Sequence, residues 1–444
     1  MTRVIGTRRA AALAGATLAA VIALGPRSLA QSPDPAARVA AFDAAWRLVR
    51  DTHFDPTFGG VDWDAVGREL RPRAEAAATE AELRAVVEEM LGRLGQSHFV
   101  LLPAGAVDDE EGAAGGGASG DPGLDVRLLD GRVVVSEVRA GGPAESAGVR
   151  PGWYVDAVDG LAVDALLGRL PASLDSRAAG LEAWRAVTRR LRGPSGAAVR
   201  LELDDGVGER RTIAVTRAPE PGEPVTVGSL PPFRVRFSRR WEETPAGHRA
   251  GVIRFNVWLA QIGQPFADAI EAFGAADGLV IDLRGNPGGL AALLMGIAGY
   301  VLDEPVALGR MKMREGEMRF VANPRRVNSR GERTTPYAGP VAILVDGLTG
   351  SASECFAGGL QSLGRARVFG ERTMGQALPA LFDRLPNGDV LIHAYGDFVT
   401  SSGERLEGRG VTPDEPTPLT RADLAGGVDR ALAAALAWID RTGG

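Results

Sequence analysis

The stretch PVAILVDGLTGSASECFAGGLQSL, residues 340–363, decides the fold of the C-terminal half of this chain. Its five apolar residues from Val341 to Val345 predict a short strand that is buried on both faces. A glycine-rich turn follows, and Ser351 then opens an apolar pattern with helical spacing. A strand that turns sharply into a helix presents its turn residue beside outward-pointing N–H groups. Ser351 is therefore either a nucleophile or a helix cap, with Glu354 completing the first turn.

A second strand-to-loop unit, GLVIDLRGNPGG at residues 278–289, favours the nucleophile. Leu279 to Leu283 predict another buried strand, and the paired glycines Gly288 and Gly289 let the backbone approach a ligand closely. A nucleophilic serine needs N–H donors at the place where the tetrahedral oxyanion forms. The two units lie about sixty residues apart, and together they predict the site of a serine hydrolase.

The DLRGNPGG and GSASE segments resemble the oxyanion loop and the nucleophile turn of the C-terminal processing (tail-specific) protease family and of its relative, the tricorn protease. The resemblance continues through residues 364–375 and 408–414. It implies an α/β serine peptidase core of the crotonase/ClpP type at residues 225–444, and the alternation of buried strands with helical patterns there also indicates an α/β core. The implied nucleophile and oxyanion donors are Ser351 and the amides of Gly288, Gly289 and Ala352.

The chain departs from that family at the general base. Most tail-specific proteases use a Ser–Lys dyad with the lysine in a GKG tripeptide, which here reads Gly375-Gln376-Ala377. The glutamine that the family places four residues later aligns with Ala380. Because an amide is not a base, Gln376 cannot accept a proton from a serine.

Two interpretations follow from this departure. In the first, Ser97-His98 resembles the Ser-His pair of tricorn and Glu407 its glutamate, so that His98 is the base, Glu407 orients it and Ser97 supports it. His393 is a rival base and Glu404 a rival orienting group. In the second, the site is inactive and the fold binds peptides or a lipid. The loss of the lysine together with a Ser-His pair at the matching place favours the first.

Residues 123–219 resemble a PDZ domain. Gly123, Leu124, Asp125 and Val126 stand where that family has its carboxylate-binding loop. PDZ domains add a peptide as a strand at a sheet edge and hold its terminal carboxylate in a backbone nest. The alternative is a spacer that binds nothing, and Asp125 places a negative charge inside the loop.

The N-terminal part divides into three segments. Residues 1–30 predict an export signal, because arginines precede a small apolar run that ends in small residues. Residues 31–107 predict a helical cap domain with an apolar stripe of helical spacing. Residues 108–122 are acidic and glycine-rich and predict a linker. The mature protein is therefore expected in the periplasm or outside the cell, with no membrane span after removal of the signal.

Composition excludes several classes of function. The chain has 444 residues, a formal net charge of −6 and 45% apolar residues, and it shows no basic stripe of the kind that binds nucleic acid. The four histidines and the single cysteine lack the spacing of a metal site. We therefore expect no metal and no cofactor. The family resemblance implies protein or peptide substrates, with C-terminal tails among the features recognised.

Overall fold

The computed structural model describes residues 35–104, 119–170, 174–227, 233–328 and 330–442. The predicted export signal at residues 1–30 lies outside these ranges, as does most of the predicted linker. The predicted linker, residues 108–122, extends too far at its C-terminal end, because Ser119–Asp121 forms a strand. It pairs with residues 193–194 and 218–219, since its backbone groups need partners once they are buried between segments.

The N-terminal domain consists of α1 (Pro35–Thr52), α2 (Trp63–Ala76), α3 (Glu80–Gly92) and the short strand β1 (Val100–Leu102). Phe42 and Val49 of the predicted stripe are buried among these helices. The helices do not close this core alone, because Leu385 and Leu391 from the C-terminal half pack into it. Strand β1 joins that half directly, in an antiparallel pair with residues 390–392.

The middle domain is an antiparallel sheet with helices packed against it. Its large sheet has the strand order β3-β4-β5-β8-β9, so that β3 is an edge strand. The strands are β2 (Ser119–Asp121), β3 (Leu124–Leu129), β4 (Arg132–Val138), β5 (Tyr154–Val158), β6 (Leu161–Ala162), β7 (Gly193–Pro194), β8 (Ala198–Asp204), β9 (Arg210–Thr216) and β10 (Ala218–Pro219). The helices are α4 (Pro143–Ser146), α5 (Val163–Leu167) and α6 (Ser176–Leu191).

The C-terminal domain mixes strands and helices. Its strands are β11 (Glu223–Val225), β12 (Phe233–Val235), β13 (Phe237–Glu243), β14 (Arg249–Phe255), β15 (Gly278–Asp282), β16 (Val306–Met313), β17 (Gly316–Ala322), β18 (Val341–Val345), β19 (Arg367–Gly370), β20 (Ala380–Arg384), β21 (Val390–Ala394), β22 (Gly396–Thr400) and β23 (Glu415–Pro416). Its helices are α7 (Gly263–Ala272), α8 (Ala292–Ala298), α9 (Ala352–Ser362), α10 (Arg421–Gly426) and α11 (Arg430–Thr442).

The central sheet of this domain positions the candidate site. Its strand order is β13-β14-β15-β18-β19-β23, and all neighbours from β14 onward are parallel. Every residue of β15 and β18 is buried, as the unbroken apolar runs predict. Because parallel strands end at the same edge, the loops after β15 and β18 meet there.

The C-terminal helix differs from the continuous helix that the pattern from Arg421 to Asp440 predicts. It is broken into α10 and α11, because Gly427 takes the left-handed conformation (φ 66°) that ends a helix. Among the described residues, none of the helices has the length and apolar character needed to cross a bilayer. The protein is thus a mixed α/β chain of several domains.

A buried ion pair joins α3 to the β20–β21 hairpin, and we expect Arg84→Ala to destabilise the chain by about 2–4 kcal/mol. Arg84 Nε and Nη2 each donate to Asp389 at 2.9 Å, and the Asp389 side chain is fully buried. The substitution would leave that carboxylate without its charged partner. Urea unfolding measures the loss. Arg93→Ala is the control, because Arg93 pairs with exposed carboxylates and should change the midpoint little. Equal losses would contradict the prediction.

Candidate active site

Ser351 stands at the sharp turn between β18 and α9. It is the N-cap residue of α9, with φ 51° and ψ −119°, a conformation that a residue with a side chain rarely adopts. Such a conformation persists only where the surroundings hold it in place, and it is frequent at functional sites. The turn therefore has the geometry expected of an exposed nucleophile at the end of a parallel strand.

Glu354 holds this turn in place. Its carboxylate is fully buried and accepts hydrogen bonds from Ser351 N (3.0 Å), Thr373 Oγ1 (2.5 Å), Gly375 N (2.7 Å) and Gln376 N (3.0 Å). Burial raises the pKa of Glu354 to about 7, although these hydrogen bonds act in the opposite direction. The sequence pattern predicts for Glu354 only a place in the first turn of the helix. Its additional role depends on a loop some twenty residues away, for which the local pattern has no signal.

The loop after β15 lies directly against the nucleophile turn. Gly288 (φ 107°) is so close that a Cβ atom added there would stand 2.6 Å from the Ser351 Cβ atom and 2.9 Å from Ala352 N. Gly289 (φ 139°) packs equally closely on the Trp258 backbone. Glycine is therefore required at both positions, by the backbone conformation and by the lack of space.

The predicted oxyanion donors are not equivalent. The N–H of Gly288 donates to the Asn286 side-chain oxygen at 3.0 Å, so the loop itself engages this donor. The N–H groups of Gly289 and Ala352 donate to no acceptor in the part of the chain that the structure describes. This is a correction to the expectation of three available donors, because a side chain two residues away competes for one of them.

Asp346, the first residue of the nucleophile turn, joins the two loops. Its carboxylate accepts from Gly285 N at 2.9 Å, from Leu348 N at 3.0 Å and from Thr349 Oγ1 at 3.1 Å. It also accepts from Arg127 of the middle domain at 2.9 Å. The Asp346 carboxylate thus holds the loop after β15 and the turn after β18 at a fixed position relative to each other.

The structure brings Ser97, His98 and Glu407 together. Ser97 Oγ donates to Glu407 Oε2 at 2.8 Å, and the backbone N–H of Ser97 donates to Oε1 at 2.8 Å. Ser97 Oγ also lies 2.8 Å from His98 Nδ1. Because the Ser97 proton is directed to Glu407, Ser97 Oγ must accept from His98 Nδ1–H. Nε2 then carries the lone pair that a general base requires.

The arrangement corrects the expected order of the groups. Glu407 was expected to contact His98, but Ser97 stands between them, because its side chain reaches both. Glu407 also accepts from Ala377 N at 3.0 Å. Residue 377 follows Gln376, whose carbonyl oxygen accepts from Ser351 N at 2.8 Å. The His98 relay and Ser351 therefore border the same loop, although no hydrogen bond joins His98 to Ser351 within the described ranges.

Burial lowers the pKa of His98 to about 4, and the positive charge of Arg185 adds to this effect. The imidazole is consequently neutral at neutral pH and able to accept a proton. This value lies well below the ordinary histidine value near 6.5, which would have been the expectation for an exposed ring.

Helix α6 of the middle domain also reaches the site. Arg177 donates to the carbonyl oxygens of Thr373 (3.2 Å), Gly408 (3.1 Å) and Arg409 (2.9 Å). These carbonyls flank the segments that carry Gln376 and Glu407. The middle domain is therefore anchored on the loops that build the site.

The rival residues have other partners. His393 is fully buried, with Nδ1 at 2.9 Å from Thr52 Oγ1 and Nε2 at 2.8 Å from Asp383 Oδ2, so neither ring nitrogen is available. Glu404 forms an ion pair with Arg409 at 3.0 Å. Neither belongs to the cluster around Ser351.

Two residues next to Ser351 pack in the core. Ser353 is fully buried and accepts from Trp258 Nε1 at 2.8 Å, so it is not an exposed nucleophile. Cys355 is buried, and burial raises the pKa of its thiol. The sole lysine of the sequence, Lys312, lies exposed on β16. A lysine base of the dyad type, which needs a desolvated amine, is therefore excluded.

The predicted peptide-binding residues lie at the start of β3. Gly123 has φ 79°, and Leu124 opens the strand. The Asp125 carboxylate accepts from the N–H of Val126 at 2.9 Å and from Trp184 Nε1 of α6 at 2.8 Å. This part of the predicted carboxylate-binding loop is thus already engaged by an acidic side chain of the chain itself.

A strained serine at the end of a parallel strand, facing a glycine loop, defines a serine hydrolase of the α/β class. Residues 249–417 match the model described as Peptidase family S41, and residues 34–92 match that described as Tricorn protease C1 domain. Residues 249–417 are thus similar to peptidase family S41, and the chain is a serine peptidase that resembles carboxyl-terminal-processing proteases over most of its length.

Curated relatives agree with this assignment. The carboxyl-terminal-processing protease of Synechocystis sp. is 29% identical, over 84% of this chain and 79% of the relative. Carboxyl-terminal-processing peptidase 2 of Arabidopsis thaliana is 27% identical, over 85% of this chain and 68% of the relative. Tricorn protease homolog 1 of Streptomyces coelicolor is 28% identical over 93% of this chain, which spans 36% of that longer protein.

Solved structures share the fold. The photosystem II D1 C-terminal processing protease superposes with a TM-score of 0.57 at 24% identity, covering 89% of this chain and 98% of that one. Mature CPAF superposes with a TM-score of 0.60 at 16% identity, covering 91% and 96%. At these identities the likeness supports the fold alone.

Gly288→Ala should lower peptidase kcat/KM by at least about 100-fold, because the added methyl group would meet Ser351 Cβ and the residue would keep a strained positive φ. Gly347→Ala is the matched control in the neighbouring turn, where a Cβ would meet nothing within 4 Å. Steady-state kinetics on a fluorogenic protein substrate compares the two variants. Equal activity of both would show that the glycine loop does not constrain the nucleophile.

If His98 is the base, kcat/KM should rise with pH through an ionisation near 4, because this ratio reports the free enzyme. Arg185→Ala should move that ionisation upward, since a nearby positive charge is removed. Arg200→Ala, an exposed arginine of the same domain, is the control. Circular dichroism verifies folding at each pH. An ionisation near 6.5 that shifts in Arg185→Ala would refute the neutral imidazole.

Proposed function

We propose that this protein is an endopeptidase in which Ser351 attacks the peptide carbonyl and His98 Nε2 takes its proton. The observation that carries the proposal is the relay from Glu407 through Ser97 to His98, which leaves Nε2 as the free acceptor. His98 then returns the proton to the leaving amine. In catalytic pairs the hydrogen bond between serine and histidine often tightens only with substrate bound.

The relay has a defined electrostatic role in this mechanism. When His98 becomes a cation, Ser97 Oγ holds its Nδ1–H, and the Glu407 carboxylate stabilises the new charge through Ser97. Glu407 stays in place because Ala377 N and Ser97 N also donate to it. Ser97 is thus a positioning residue that fixes the tautomer of His98.

The developing oxyanion is stabilised by the amides of Ala352 and Gly289. Both N–H groups are unpaired in the described part of the chain, and Ala352 N also stands at the N-terminus of α9, where the helix dipole favours negative charge. The third predicted donor, Gly288, acts through its close packing against Ser351.

The substrates we propose are extended segments of other proteins. The middle domain has the edge strand β3 beside α6, which is the geometry in which a PDZ-like domain adds a peptide as a further strand. We place this proteolysis in the periplasm or outside the cell, on the strength of the predicted signal at residues 1–30. No cofactor is needed for the steps above.

An active-site fluorophosphonate probe should label the wild-type chain and not Ser351→Ala, because only an activated serine reacts. Ser362→Ala, in the same helix, should label normally, since its hydroxyl only donates to a helical carbonyl oxygen. Absence of label from the folded wild-type chain would favour the alternative of an inactive binding protein on the same fold.

Ser97→Ala should lower kcat by roughly 100-fold with little change in KM, because His98 loses the acceptor that fixes its tautomer. Ser97→Thr keeps the hydroxyl and should recover part of the activity. Single-turnover kinetics separates the chemical step from binding. A Ser97→Ala variant with wild-type kcat would remove the relay from the mechanism.

A further inference from the structure

The groove between β3 and α6 is the open edge of the middle-domain sheet. Among the described residues, strand β3 pairs with β4 alone, and α6 packs along it. Leu124, Leu128 and Trp184 are partly buried apolar side chains of these two elements. An extended peptide could pair with the free edge of β3 and lay apolar side chains towards α6.

Carboxylates of the chain itself already occupy the end of this groove. The N–H of Gly123 donates to Asp121 Oδ1 at 2.6 Å, and the N–H of Val126 donates to Asp125 Oδ1 at 2.9 Å. In a domain that captures a peptide terminus, backbone amides of this loop bind the terminal carboxylate. Here the backbone amides of two of the four residues from Gly123 to Val126 already donate to carboxylates of the chain itself.

Asp125 is held firmly in this position. Trp184 Nε1 donates to its Oδ1 at 2.8 Å from across the groove, and Arg127 Nη1 donates to its Oδ2 at 2.7 Å. Burial acts to raise the pKa of Asp125, but the charge of Arg127 and these hydrogen bonds outweigh it and leave the pKa below its ordinary value. The side chain is 37% exposed, and its hydrogen bond from Trp184 places its negative charge between β3 and α6.

Arg127 cannot serve as the cation for an incoming carboxylate. Its second nitrogen, Nη2, donates to Asp346 of the nucleophile turn at 2.9 Å, and the guanidinium therefore lies between two acids of the chain. An additional carboxylate at this place would meet the charge of Asp125 with no unpaired positive group of this cluster to offset it.

We propose that Asp125 is the specificity determinant of the groove: its carboxylate takes the place of a peptide's terminal carboxylate, so that the groove binds extended internal segments and rejects free carboxyl termini. The proposal rests on the PDZ-like role proposed for the middle domain. A repulsive group of this kind discriminates between ligands that share every other contact.

Fluorescence anisotropy with two labelled peptides tests the proposal. Both have one ten-residue apolar sequence, and they differ only in ending as a free acid or as an amide. The full chain carries Ser351→Ala, so that no hydrolysis occurs and the result is independent of the proposed catalysis. We expect the amide to bind at least about tenfold more tightly than the acid.

Asp125→Asn should shift the acid-to-amide ratio of Kd by at least about tenfold in favour of the acid, because the charge is lost while the side chain keeps its size. Asp130→Asn is the matched control, since Asp130 lies in the exposed β3–β4 turn and should leave the ratio unchanged. A shift confined to Asp125→Asn also localises binding to the groove.

Three outcomes would overturn the proposal. Tighter binding of the acid by the Ser351→Ala chain with Asp125 intact would show that the terminal carboxylate is recognised, and this comparison needs no substitution in the groove. An unchanged ratio in a folded Asp125→Asn variant would remove Asp125 as the determinant. Failure of both peptides to bind would reduce the domain to a spacer.

Discussion

The buried carboxylate of Glu354 is the constraint on which the candidate site depends. It accepts from Ser351 in one loop and from Thr373, Gly375 and Gln376 in another. Because the group is fully buried, water cannot replace any lost donor, and each unmet hydrogen bond would cost the full desolvation penalty. This cost keeps the two loops together and maintains the strained backbone at Ser351.

The hydrogen bonds between Ser97 and Glu407 form a second long-range contact. Ser97 and Glu407 lie 310 residues apart, yet two hydrogen bonds join them. The pairing of β1 with β21 sets this distance, because it attaches the N-terminal domain to the sheet of the C-terminal half just after His98. The N-terminal domain therefore supplies Ser97 and His98 to the site, and its core is itself completed by residues such as Leu391.

The middle domain is fastened to the same loops by charged groups. Arg127 reaches Asp346 at the start of the nucleophile turn, and Arg177 reaches carbonyls beside Gln376 and Glu407. A charged hydrogen bond of this type is worth more than a neutral one, and its geometry is specific. The middle domain and the loops around Ser351 are thus in direct contact.

The sequence by itself determined the features that need only local information: the strand Val341–Val345, buried because it is apolar throughout, and Ser351 as the turn residue that follows it. The absence of a lysine close to Ser351 in the sequence and the presence of the Ser97-His98 pair are also evident from the sequence alone. Only the tertiary structure decided that Ser97 stands between His98 and Glu407 and that Glu354 binds the loop of Gly375 and Gln376. The physical reason is that each hydrogen-bonding group has several possible partners, and the packing of three domains selects one of them.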